Sequence, residues 1–83
     1  MRYLILTYLR KANGQIDEQA EVAKNIKERD LQTANVILDF KEQKVLKCMI
    51  DGKVITMDWD KAHSYYKRVY PQIIEDLEKT ATQ

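Results

Sequence analysis

The chain has 83 residues, of which 45% are hydrophobic and 33% charged, a balance that suits one small globular domain and excludes a wholly disordered chain. Fourteen basic residues against 13 acidic ones leave a net charge of +1, so no long-range field draws the chain to nucleic acid or to an acidic membrane. A single cysteine excludes an internal disulfide and a multi-cysteine metal site, and fits a reducing compartment.

The opening MRYLILTYLRK begins like a secretory leader, but its apolar run is short, Thr7 interrupts it, and Arg10 and Lys11 follow where small residues should stand. No segment is long enough to span a bilayer, so a cytoplasmic location is expected. Tyr3 to Arg10 instead reads as a strand, and because apolar side chains sit at both odd and even positions it should be a central one. Ala12-Asn13-Gly14-Gln15 then signals a turn, Asn-Gly being a preferred type I′ pair. Ile16 to Arg29 has a helix-favouring composition, and Asp17 could cap such a helix. The turn before it nevertheless predicts a returning strand, and Ile16, Ala20, Val22 and Ile26 share one parity. We read a strand from Ile16 to about Lys24, keep a helix over 16–29 as the alternative, and take Glu28 to Thr33 as a polar connection.

Ala34 to Met57 reads as three antiparallel strands. Asp51-Gly52 is a type I′ hairpin signal that pairs Ile50 with Lys53, Met49 with Val54, Cys48 with Ile55 and Leu46 with Met57. A three-residue connection, Lys41-Glu42-Gln43, would set Phe40 opposite Lys44, Leu38 opposite Leu46, Val36 opposite Cys48 and Ala34 opposite Ile50. The even-numbered residues, joined by Ile55 and Met57, would then form one apolar face, with Cys48 an inert core thiol. Beyond Met57, Asp58 is a good N-cap, and Trp59, Ala62, Tyr66, Val69, Ile73 and Leu77 recur at helical intervals. Pro71 interrupts the run, which predicts a kinked helix or two abutting ones, with fraying from Lys79 to Gln83. The expected fold is α+β over residues 1–83 as one domain. It is an antiparallel meander of four to five strands with a C-terminal helix, kinked near Pro71, packed on one face.

RYLILTYLRKANGQIDE, followed by QTANVILDFKEQKVLKC, resembles a small functionally uncharacterised protein of tailed bacteriophages, in particular those of the T4-like type that infect cyanobacteria. The resemblance covers most of the chain. It implies a virus-encoded protein working in the host cytoplasm and carries no active site, cofactor or partner with it.

The residues themselves give little to catalysis. His63 is the lone imidazole, Ser64 projects in another direction on a helix, Asp58 and Asp60 are explained by capping and first-turn acidity, and both glycines serve turns. We therefore expect no enzyme activity, cofactor or metal. KAHSYYKRVY interleaves tyrosines with cations, and Lys61, Tyr65, Lys67, Arg68 and Tyr70 could meet the bases and phosphates of a single strand. An ordinary helix with one packed and one solvated face explains the same residues more simply. With the even-numbered face under the helix, Ile37, Val45, Met49 and Val54 would form an apolar patch on the sheet's other side. Unless a helix over 16–29 covers it, a second copy of the chain is the simplest partner, joined by sheet-face packing or by edge pairing. The expected function is thus non-enzymatic binding: a homodimer that docks onto another protein, a host factor if the chain is viral, with single-stranded nucleic acid as the alternative.

Overall fold

Strand β1 (Tyr3–Arg10) runs through the middle of the fold, as its two-sided apolar pattern requires. The computed structural model, which describes residues 1–81, places β2 (Ile16–Ala23), α1 (Glu28–Thr33), β3 (Val36–Asp39), β4 (Lys44–Ile50), β5 (Lys53–Val54), α2 (Trp59–Val69) and α3 (Pro71–Ala81) around it. The strands form one antiparallel five-stranded sheet in the order β2-β1-β3-β4-β5. Ile16 onward is therefore a strand. The helix lies later, as six residues within the connection expected to be irregular.

The first hairpin closes differently from the type I′ expectation. Gly14 N–H donates to the Lys11 carbonyl at 3.0 Å and Lys11 N–H to the Gln15 carbonyl at 2.8 Å. Only Gly14 enters the left-handed region, at φ 87°, so the loop is three residues with Gly14 as its bulge. Asp51 and Gly52 do form the type I′ turn, both with positive φ (54° and 74°), and Ile50 pairs with Lys53 as expected.

β2 and β3 are both antiparallel to β1 and lie on either side of it, so the chain from Lys24 to Asn35 crosses the sheet lengthwise. It crosses over the face opposite α2 and α3. Ile26 and Ala34 pack there with Ile5 and Ile37, and the Lys47 ammonium donates to the Leu31 carbonyl at 2.7 Å, tying α1 to β4. Ala34 is thus buried on the far side of the sheet from Val36, because it caps α1 rather than extending β3. On the other face, Leu4, Leu6, Val36, Leu38, Phe40 and Cys48 meet Ala62, Tyr66, Ile74, Leu77 and Ala81 in the main core. Burial pushes the Cys48 thiol pKa up, as suits a packing residue.

The hairpin between β3 and β4 departs from the expected register. Val36 pairs with Cys48 and Ile37 with Lys47, but Leu38 faces Val45 and Asp39 faces Lys44. Two turns impose pairings that differ by one residue, and Leu46 absorbs the difference as a bulge. The Asp39 carboxylate sets one of them by accepting the Lys41 and Glu42 amides at 3.0 and 3.2 Å, so the loop has four residues, with Gln43 at φ 56°. The Asp51-Gly52 turn sets the other. Val45 consequently packs against the main core in the place assigned to Leu46, which is 46% exposed. β5 ends at Val54, but Ile55 N–H still donates to the Cys48 carbonyl at 2.9 Å, as the expected Cys48–Ile55 pairing requires, with the Ile55 side chain 38% exposed.

Asp58 caps α2, its carboxylate accepting Lys61 N–H at 2.8 Å. Pro71 splits the C-terminal run into two helices by forcing Tyr70 to φ −129° and ψ 63° and then starting α3 with its preset φ. The split moves the packed line from Val69, 43% exposed, to Tyr70, and Ile74 is fully buried where Ile73 is only partly so. Lys79 to Ala81 stays helical, with Ala81 in the core; Thr82 and Gln83 lie outside the described residues.

Candidate functional site

The four residues expected to form the apolar patch are dispersed. Ile37 is fully buried beneath the crossover, and the bulge turns Val45 to the helix side. Met49 and Val54 do pair on adjacent strands, with Val54 79% exposed. Ile37 is therefore a core residue and Val45 packs, half-buried, against the main core, so the patch shrinks to one pair. Covering the rest needed no helix over 16–29; the crossover after β2 does it.

The basic and aromatic residues of α2 divide as well. Lys61, Tyr65 and Arg68 recur at helical spacing on its exposed side, with the Arg68 guanidinium 5.9 Å from the Tyr65 ring centre. Lys67 lies 4.0 Å from Glu78 of α3. Tyr70 turns inward, its hydroxyl donating to Glu18 Oε2 of β2 at 2.6 Å. His63 stacks on Trp59 with ring centres 5.4 Å apart, and its Nε2 is 2.7 Å from Glu78 Oε1, so it joins the two helices. These side chains, with Phe40, Gln43 and Lys67, line a shallow cleft. Among the described residues no three His, Cys, Asp or Glu side chains cluster to hold a metal ion, and no helix is long and apolar enough to cross a membrane.

Two constellations were not visible in the sequence. The first is the tyrosine cluster between sheet and helices, where the Tyr8 and Tyr66 hydroxyls lie 3.3 Å apart and Tyr70 holds Glu18. Burial, reinforced by the Glu18 carboxylate, pushes the Tyr70 phenol up to about 12, and burial raises Tyr8 and Tyr66 as well. Folding thus favours the neutral phenols, a contribution that is complete below about pH 10, the unfolded value, and lost as pH rises through the folded ones. Tyr70→Phe should cost about 1 kcal/mol at pH 7 and make alkaline unfolding less steep. Urea denaturation at pH 7 and pH 11 checks both, and an unchanged alkaline slope would contradict the assignment.

The second is the notch where β3, only four residues long, stops between its longer neighbours. Asn35 bridges the gap, its Oδ1 accepting Tyr8 N–H at 3.0 Å and its Nδ2 donating to the Met49 carbonyl at 3.1 Å. Beyond it, Arg10, Ile16, Ile50, Asp51 and Gly52 border an open cleft of about 390 Å³. The side-chain amide continues the ladder for one rung, so the notch is a finished sheet end.

The longest open edge strand is β2, which pairs with β1 alone; β5, at the other border, has only two residues. Lys11 N–H donates to the Gln15 carbonyl across the first turn, and Asn35 N–H donates to the Leu6 carbonyl at 2.8 Å, so odd residues of β1 serve β2 and even ones serve β3. By the same alternation Gln19 and Glu21 of β2 bond to β1, while Glu18, Ala20 and Val22 direct N–H and C=O groups to the open edge. The edge is eight residues long, contains no proline, and exposes Ile16 (57%) and Val22 (38%). The edge could have been anticipated from the strand pattern; that β1 gives its second side to β3 could not.

Comparison with protein-family models, with curated proteins and with solved structures finds no match to this chain.

Proposed function

We propose that this protein is a non-enzymatic binding module that acts by docking another protein through its β2 edge. The observation that carries the reading is the full-length, regular edge strand with its outward amides unpaired, a feature that folded proteins commonly shorten, bulge or cover. A chain added there gains main-chain hydrogen bonds and places alternate side chains on both faces of the sheet. The resemblance to bacteriophage proteins would make the partner a cytoplasmic protein of the infected bacterium. A homodimer through the opposite sheet face loses its basis, since Ile37 and Val45 are spent on the cores.

Val22→Pro tests the docking, because it removes a solvent-facing N–H while leaving the β1 ladder untouched. With the variant folded, as its circular dichroism should show, a host protein captured by the wild type should be lost from Val22→Pro and retained by the surface control Val54→Thr. Equal capture by the wild type and Val22→Pro would refute docking at this edge.

A further inference from the structure

We infer that the strand received by β2 is a basic amphipathic one from a different protein, an inference that rests on the docking reading above. β2 reads IDEQAEVA and has three carboxylates and no cation. Glu18 is spoken for by Tyr70, but Asp17 and Glu21 are exposed, two strand positions on either side of Gln19, on the face away from α2 and α3. The helix-side row offers Ile16, Ala20 and Val22 around Glu18.

A neighbouring strand follows the same pleat, so its side chains fall into the same two rows. Lys or Arg on the outer row would lie beside Asp17 and Glu21, and aliphatic residues on the inner row beside Ala20 and Val22. Opposite charges directly across a strand pair stabilise it, whereas like charges weaken it.

The same charges select against a second copy. A twofold pairing centred on Gln19 sets Asp17 against Glu21 twice, and one centred on Glu18 sets its two carboxylates face to face. Either register brings the six carboxylates of two β2 strands together, and β2 itself holds no cation to offset them. The edge is therefore closed to self-association and open to a cationic strand, which is how one unprotected edge can exist without aggregation.

Capped eight-residue peptides alternating Lys with Val, and Glu with Val, provide the test by NMR titration of the wild-type protein at low salt. The Lys-Val peptide should shift the amides of Glu18, Ala20 and Val22, bind at least tenfold more tightly than the Glu-Val peptide, and weaken at least tenfold in 0.5 M salt. The double variant Asp17→Lys, Glu21→Lys should reverse the preference. If both peptides bind these amides equally, the charge inference falls and strand docking survives. If neither shifts any β2 amide at millimolar concentration, both fall. Shifts confined to Lys61, Tyr65 and Arg68, or a dimer of the free protein joined through β2, would also overturn the inference.

Discussion

Replacing Leu38 by alanine should cost the domain about 3 kcal/mol, while the same truncation at Leu46 should cost less than about 1 kcal/mol. Leu38 is fully buried in β3, paired with Leu4 on one side and Val45 on the other, beneath α2 and α3. Truncation there leaves a cavity in a close-packed core. Leu46 sits on the bulge, half exposed, and its removal takes little apolar surface out of contact. For a domain of this size the first loss is a large part of the total stability and should lower the melting temperature by roughly 15 °C. Comparable losses at the two positions would mean that they share a face and that the bulge is absent. Thermal unfolding of the two variants decides between these arrangements.

The second large effect belongs to Asp39, whose side chain is 4% exposed. Its carboxylate accepts from Arg2 Nε at 2.9 Å and Arg2 Nη2 at 2.8 Å, besides the Lys41 and Glu42 amides of the loop. One side chain thus joins the start of β1 to the β3-β4 turn. Asp39→Ala should cost about 2 kcal/mol, because it removes a four-bond acceptor and leaves a guanidinium and two amides to find water. The Arg2 guanidinium, followed by the loop amides, holds the Asp39 carboxyl below the usual carboxylate range. A depressed acid stabilises the fold above its unfolded value, about pH 4, and that contribution disappears as pH falls through the lower folded value. The stability gap between wild type and Asp39→Asn should therefore be full at pH 7 and narrow below about pH 4. A gap that stays constant down to pH 2 would contradict the pairing.

The two predictions also mark where sequence reasoning reached its limit. β1, β2, the Asp51-Gly52 turn, the Asp58 cap and the break at Pro71 were legible because each depends on neighbouring residues alone. The bulge at Leu46 was not, since it arises from two turns that disagree by one residue. The Asp39 side chain, which shortens β3 and so creates that disagreement, is anchored by Arg2, 37 positions away in the chain. The same slip moved Val45 from the expected patch onto the main core. Ile37 followed for another reason: a crossover segment with a polar composition still offers Ile26 and Ala34, enough to cover two isoleucines. In α2, Lys61, Tyr65 and Arg68 kept to one side as helical spacing dictates, whereas Tyr70 was claimed by Glu18 on β2, a contact between elements far apart in sequence.

β2 is the longer of the two border strands of the sheet, and its outward N–H and C=O groups are free to take up a further strand. Its carboxylates then decide which kind of chain can supply that strand. Amide hydrogen exchange along β2 examines this directly. Gln19 and Glu21, bonded to β1, should exchange slowly, and Glu18, Ala20 and Val22 should exchange quickly at every protein concentration. Slow exchange at Glu18, Ala20 and Val22 in the isolated protein would show that the border is already occupied, and the docking account would fail.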